Sequence, residues 1–274
     1  MHGLWVTYAI WLREIKLFFR ERVRIVGMIG QPLLYLLIFG QGLAGYIGSL
    51  QSSHSGDGKA GVGYLLFMYP GIIGMSVLFT SIFSAMSIIW DREFGFLKEV
   101  LVAPAPRWAV ATGKILGGAT VATLQSAILL ALAPLAGVWP TPLMVVLLLL
   151  VNFLISCAMT SLGVAIASRM RSMQGFQMIM NFLVMPLYFL SGTMFPVGKA
   201  PAWMTPVMAI DPLTYGVDAL RTVVFWASAD GTALFQTAKE AGLVLGTPVI
   251  DVIVMIGTAI LLALFAGWSF SKAD

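Results

Sequence analysis

Charge is missing from five long stretches of this chain: residues 25–56, 60–90, 115–168, 172–198 and 252–271 contain no Asp, Glu, Lys or Arg. Moving a charged side chain from water into hydrocarbon is costly, so charge-free runs of this length are what a bilayer-spanning segment requires. A spanning helix takes about 20 apolar residues. Residues 115–168 exceed twice that length and are interrupted at Pro134, Pro140 and Pro142, so this stretch holds two spans and the chain is expected to have six. Composition agrees: 59% of residues are hydrophobic and 10% charged, against about 25% charged in a soluble domain.

The same inventory excludes several functions. The net charge of +4 does not form a nucleic-acid patch, because the basic residues lie beside the spans. The single cysteine, Cys157, falls inside a span, and His2 and His54 are far apart, so neither a disulfide framework nor a metal site is expected. The three Gly-Lys pairs, at Gly58, Gly113 and Gly198, lack the upstream Gly and following hydroxyl of a P-loop, so this chain is expected to hold no ATP of its own. Only Asp251, near the end of the last span, places a carboxylate toward the bilayer, which disfavours ion-coupled transport. The paucity of buried His, Asp, Glu and Cys likewise speaks against a membrane enzyme. Gln125, Asn152, Gln174, Gln177 and Asn181 are the intramembrane polar groups, able either to bond neighbouring helices or to meet cargo.

At the N-terminus, Trp5, Tyr8, Leu12, Ile15 and Phe19 recur at helical spacing, and Arg13, Lys16, Arg20 and Arg24 fall along another face. This predicts an amphipathic interface helix over 4–22, basic side toward anionic headgroups, retained because its basic region is too long for a secretory signal. Spans follow at about 25–46, 63–89, 110–136, 143–168, 174–194 and 248–270. With the N-terminus inside, twelve Lys and Arg flank the spans on the inner side and four (Lys59, Lys199, Arg221, Lys239) on the outer, so both termini are expected in the cytoplasm.

Two connections are large enough to carry function. The inner one spans 91–107: Phe96, Leu97, Val100 and Leu101 share one face of a short helix, Lys98 and Glu99 the other, and Pro104 and Pro106 end it. Such a helix either docks in a groove of a soluble partner or lies on the membrane surface. The outer connection, 195–243, holds two apolar segments too short to cross, 201–210 and 212–226. Asp211-Pro212 is an N-cap and first-turn pair, and a half-length helix starting there suggests re-entry into the outer leaflet. Asp218 and Arg221, at i and i+3, are spaced either to pair as a brace or to touch substrate.

The inner Glu93-x-Gly-x-Leu-x-x-x-Leu-x-Ala-Pro-x-x-Arg107-Trp108, followed by Gly113-Lys114, resembles the first cytoplasmic loop of type-2 permeases of ATP-binding-cassette (ABC) transporters. The outer Leu190-Ser-Gly-x-x-Phe-Pro196, then Pro212-Leu-x-Tyr215 and Arg221, resembles that family's fifth-span exit and re-entrant hairpin. The wording is nearest the drug-efflux and nodulation-type branch, with Phe96 and Lys98 where Thr and Glu are common. The resemblance implies a single all-α transmembrane domain over 1–274, with six spans, interface helix, coupling helix and external re-entrant hairpin. It also implies a permease homodimer in the cell membrane bound to two cytoplasmic ATPase subunits, which hold the ATP and Mg. By implication Phe96, Leu97, Val100 and Leu101 pack into the ATPase while Asp91, Arg92, Glu93, Lys98 and Glu99 fix register at its rim.

The expected function is export of a hydrophobic or amphipathic compound, with Phe79, Phe83, Phe182 and Met185 as cavity residues or as ordinary packing. Export of a lipid-linked glycan by the same architecture and a non-transport scaffold are the alternatives.

Overall fold

The computed structural model describes residues 2–38, 60–95, 106–136, 139–194, 197–227, 231–240, 242–245 and 248–272. Within them every regular element is a helix and there is no strand. The helices are α1 (His2–Arg20), α2 (Arg22–Leu37), α3 (Ala60–Ser84), α4 (Met86–Glu93), α5 (Arg107–Ala131), α6 (Pro142–Ala167), α7 (Met173–Leu190), α8 (Thr205–Ile210), α9 (Pro212–Trp226), α10 (Gly231–Glu240) and α11 (Pro248–Ser271).

Five segments among the described residues are long and apolar enough to cross a membrane: Phe67–Glu93, Arg107–Ala131, Pro142–Ala167, Met173–Leu190 and Pro248–Ser271. The remaining expected span, 25–46, is described only as far as residue 38, and its apolar helical part, Ile25–Tyr35, is shorter than a span. Helix starts follow their capping chemistry. Thr141 accepts the Met144 N–H at 3.2 Å ahead of Pro142, and Ser172 accepts the Gly175 N–H at 3.3 Å to open α7.

Helix α6 is the centre of the bundle, packed by α3, α5, α9 and α11. Its Leu148, Ile155 and Met159 are closed off from any solvent, as are Ile73, Leu78 and Ile82 of α3. Helix α11 keeps large apolar side chains on its outward face as well, including Val249, Ile253, Ile260 and Leu264. A helix apolar on both faces is solvated by lipid on the outside, so this is a multi-pass membrane protein.

Several boundaries differ from the sequence reading; the third span, expected at 110–136, is Arg107–Ala131, and two others have a local cause. The second expected span does not stop at 89: after a break at Ala85 the helix continues to Glu93, one turn further. The span expected to end at 194 ends at Leu190, where Ser191 caps it and Gly192 turns the chain at φ +71°, a left-handed conformation that suits a residue without Cβ.

Candidate functional site

The end of the bundle that carries α1 is held by buried charge. Helix α1 lies along α5, with Thr7, Ile10 and Phe18 buried. Close approach is possible because α5 presents glycine: a Cβ at Gly113 would meet Ile10 Cβ at 2.8 Å and Thr7 O at 2.9 Å, and one at Gly117 would meet Glu14 Cβ at 2.7 Å. Thr7 Oγ1 donates to Ala109 O at 3.1 Å, and Trp11 Nε1 donates to Thr120 Oγ1 at 3.0 Å. The expected apolar stripe points the other way, with Trp5, Tyr8 and Phe19 exposed.

Four ionised groups meet in this joint. Lys114 Nζ lies 2.6 Å from Glu14 Oε1 and 2.5 Å from Asp91 Oδ2, and Arg13 Nη2 lies 2.5 Å from Asp91 Oδ1. Lys114 also donates to Ser87 Oγ at 3.0 Å. Two cations balance two anions, which is the condition for burying any of them. At Arg13, burial disfavours the charge, but the hydrogen bond and attraction of Asp91 hold its pKa above the ordinary value. The quartet ties α1, α4 and α5 to one point.

This corrects one sequence expectation: Arg13 does not join the headgroup-facing basic stripe, because Asp91 takes it. Asp91 is buried and Arg92 turns inward, donating to Ser168 O at 2.8 Å and to Met170 O. Glu93 alone of those three stays exposed. Phe96, Leu97, Lys98, Glu99, Val100 and Leu101 lie outside the described residues. The sequence reading also missed Glu14 and Lys114 as partners. The available signal was that Lys114 is the one charge between Trp108 and Ser168, and a lysine there needs a carboxylate.

At the opposite end, Asp211 caps α9 as expected, its Oδ1 accepting the Leu213 N–H at 2.9 Å ahead of Pro212. A Cβ at Gly216 would meet Ile155 Cγ1, halfway along α6, at 2.7 Å, so α9 inserts to the middle of the bundle. Tyr215 Oη donates to Ala209 O at 2.9 Å and closes the α8–α9 corner. The other short segment does not bury itself: in α8 only Met208 is buried, while Val207 and Ile210 are exposed.

Asp218 and Arg221 both lie in the buried face of α9, yet they do not form the expected ion pair. Arg221 Nη2 donates to Gly192 O at 2.6 Å and Thr193 O at 3.0 Å, and its guanidinium stacks 4.0 Å from the Phe67 ring centroid. Asp218 instead accepts the Leu245 N–H at 2.9 and 3.1 Å. The turn after α7 leaves carbonyls that need donors, and Arg221 is the long side chain able to reach them. The structure therefore brings the Gly192–Thr193 turn that follows α7 and Arg221 together.

Between α2, α3, α5 and α7 lies a cavity of about 410 Å³. Phe79 and Phe83 line it, with Met75 and Tyr35 adding apolar wall and Gln31 and Gln177 adding amides. Phe182 and Met185 do not take part: both project outward from α7. Gln125 reaches the cavity but is committed to the fold, donating to Met28 O at 2.7 Å and accepting from Thr80. Among the described residues, no Asp, Glu, Lys or Arg lines this space.

Comparison with known proteins gives matches over most of the chain. The family model described as "ABC-2 type transporter" covers residues 6–225. The Inner membrane transport permease YadH of Escherichia coli strain K12 is 27% identical over 228 residues, 81% of this chain and 84% of the relative. Nodulation protein J of Rhizobium leguminosarum bv. viciae is 25% identical over 216 residues, 78% of this chain and 80% of the relative. The Escherichia coli strain K12 protein named "Probable multidrug ABC transporter permease YbhR" is 27% identical over 165 residues, 58% of this chain and 44% of the relative.

Proposed function

Because the chain belongs to the ABC-2 type transporter family, we propose that it is the membrane subunit of an ATP-driven exporter that moves a hydrophobic or amphipathic compound out of the cell. The observation that carries this reading is the cavity of about 410 Å³, walled by aromatic and Met side chains, hydrogen-bonding through amides and, among the described residues, free of charge. A space of that size and lining suits a drug-sized neutral or amphipathic molecule. The multidrug name of one relative supports the same substrate class.

In this reading two permease copies bind two cytoplasmic ATPase subunits through the 91–107 segment, with Phe96, Leu97, Val100 and Leu101 as the apolar docking face. The ATPases hold the nucleotide, and this chain contributes no catalytic group. ATPase closure moves the loop, and the charged joint at Asp91 passes that motion to α1 and α5 together. Both termini and the joint face the cytoplasm, and the α9 hairpin faces outside.

The test is reconstitution with the ATPase subunit that copurifies with the permease, followed by efflux of hydrophobic fluorescent dyes. Leu97→Asp and Val100→Asp should each abolish ATP-driven efflux by placing an unpaired charge in the docking face. Phe79→Asp should abolish efflux while leaving ATPase assembly intact. Normal efflux by Phe79→Asp would sink the cavity assignment, and normal efflux by both loop variants would sink the docking role.

A further inference from the structure

Helix α11 ends in a corner beside the start of α5 and the end of α6, and this corner collects cations. Ser269, buried in the last turn of α11, shares a 2.9 Å hydrogen bond with the Ser168 hydroxyl just after α6, which fixes the two helix ends together. Arg169 Nε donates to Ser269 Oγ at 3.1 Å. That bond sets the guanidinium over Trp268, with Cζ 5.5 Å from the ring centroid, and Lys272 Nζ lies 4.4 Å from the centroid of the same ring. At the start of α5, Arg107 donates to Ser271 O at 2.7 Å and caps the helix end.

These cations are short of negative charge. Among the described residues neither Arg169 nor Lys272 pairs with a carboxylate, and the Arg169 Nη groups and Lys272 Nζ have no hydrogen-bond acceptor. The negative end of the α11 dipole supplies only about half a charge. Two like charges gathered on one ring therefore favour an anion between them.

The surface beside them is apolar. Trp268 is half exposed, and Leu261, Leu264 and Phe265 continue its outward face along α11 at helical spacing. Phe265 stacks on Trp268, with ring centroids 5.9 Å apart. An anion free in water gains nothing from this lipid-facing stripe, whereas a phospholipid uses the stripe and the cations at once.

We propose that the end of α11 binds one phospholipid with a net negative headgroup. Its phosphate is held by the Arg169 Nη groups and Lys272 Nζ, and an acyl chain lies along Trp268, Phe265, Leu264 and Leu261. The guanidinium fork suits phosphate oxygens and the ammonium adds a second charge. The site goes beyond the exporter reading and does not depend on it, since it uses no residue of the cavity or of the docking segment's apolar face.

Trp268 is its own reporter. Purified permease is placed in phosphatidylcholine nanodiscs containing a minority of brominated phosphatidylglycerol, whose bromine quenches only the indoles it touches. The quenching lost in Trp268→Phe is the part due to Trp268, and the same fraction of brominated phosphatidylcholine sets the zwitterionic baseline. At about fivefold per cation near the headgroups, phosphatidylglycerol should be preferred at Trp268 by roughly 25-fold. Arg169→Gln and Lys272→Gln should each remove about fivefold of that preference. Arg169→Lys should keep most of it, which separates loss of charge from loss of the Ser269 bond. Replacing Lys16 and Arg20, two exposed cations of α1, by Gln should leave it unchanged. Equal quenching by the two lipids would overturn the proposal. So would an equal loss in the α1 double variant, which would mean unspecific attraction, or full displacement by inorganic phosphate, which would mean a free-anion site. Asp274, two positions after Lys272, lies outside the described residues. A preference seen only in Asp274→Asn would show the cations paired within the chain and would overturn the proposal too.

Discussion

Removing the charge of Asp91 should detach α1 from the bundle, and the structure sets the size of the effect. The Lys114 and Asp91 side chains are 3% and 7% exposed, so breaking their contact belongs to the buried class, at about 3–5 kcal/mol. Glu14 remains 2.6 Å from Lys114 and keeps the ammonium partly neutralised, which takes back up to about half of that cost. Arg13 is 30% exposed, so losing its partner adds at most about 1 kcal/mol. Asp91→Leu should therefore cost about 3 kcal/mol, seen as a thermal midpoint lowered by roughly 6–12 °C for a chain of this size. Lys114→Met should cost a similar amount, because it leaves two carboxylates facing one guanidinium. The double variant keeps Arg13 beside Glu14, 3.5 Å apart, and restores charge balance, so it should recover about 2 kcal/mol of the summed loss. Hydrogen exchange of the α1 peptide would show where the loss falls. If the two single losses simply add in the double variant, or α1 stays protected in both singles, the quartet does not hold this joint.

Three further outcomes follow from the same geometry. Gly113→Val should cost about 1–3 kcal/mol by overpacking against Ile10 and Thr7, read as faster exchange in α1 with α6 unaffected. Arg221→Lys keeps the charge but loses the guanidinium whose Nη2 reaches both carbonyls and whose plane stacks on Phe67, and should cost about 1–3 kcal/mol of thermal stability; full stability would mean that Gly192 and Thr193 do not depend on Arg221. With Cys157 replaced, Gln236→Cys should label with an impermeant maleimide in intact cells and Ser172→Cys should not, and the reverse pattern would overturn the orientation drawn from Lys and Arg.

Long-range order in this chain was legible where local chemistry dictates it. The Asp211-Pro212 start of α9, the spans of α5, α6 and α11, and the α1 helix all follow from caps, breakers and charge-free length, which neighbours in sequence decide. What the sequence could not show was partner choice. Arg13 looks like one more basic residue on a stripe until α4 brings Asp91 beside it, 78 positions away. Asp218 and Arg221 have ideal helical spacing for a pair, yet each finds a stronger claim elsewhere: an exposed backbone N–H at Leu245, and carbonyls left over by the end of α7. Spacing says which groups can meet, whereas the unsatisfied backbone of a distant turn decides which ones do. The same limit explains Gly113 and Gly117: their spacing announces a close helix contact, but only the fold names α1 as the helix.

The two ends of the molecule share one mechanical element, the rod formed by α3 and α4. Near its start, Phe67 lies under Arg221 and Gly71 packs against Thr193, where a Cβ would meet Thr193 O at 2.8 Å. At its other end, Asp91 is clamped by Arg13 and Lys114. From Phe67 to Asp91 the rod covers about 36 Å at 1.5 Å per residue. A push delivered just beyond Glu93 cannot be absorbed at Asp91, because separating Asp91 from its two cations uncovers buried charge. The cheaper response is for α1, α4 and α5 to move as a unit and for the displacement to travel along α3. It then arrives beneath Arg221 and the Gly192–Thr193 turn, which α9 also contacts. The break at Ala85 is the point on this path where the rod is free of a continuous helical ladder, so bending between the two ends concentrates there.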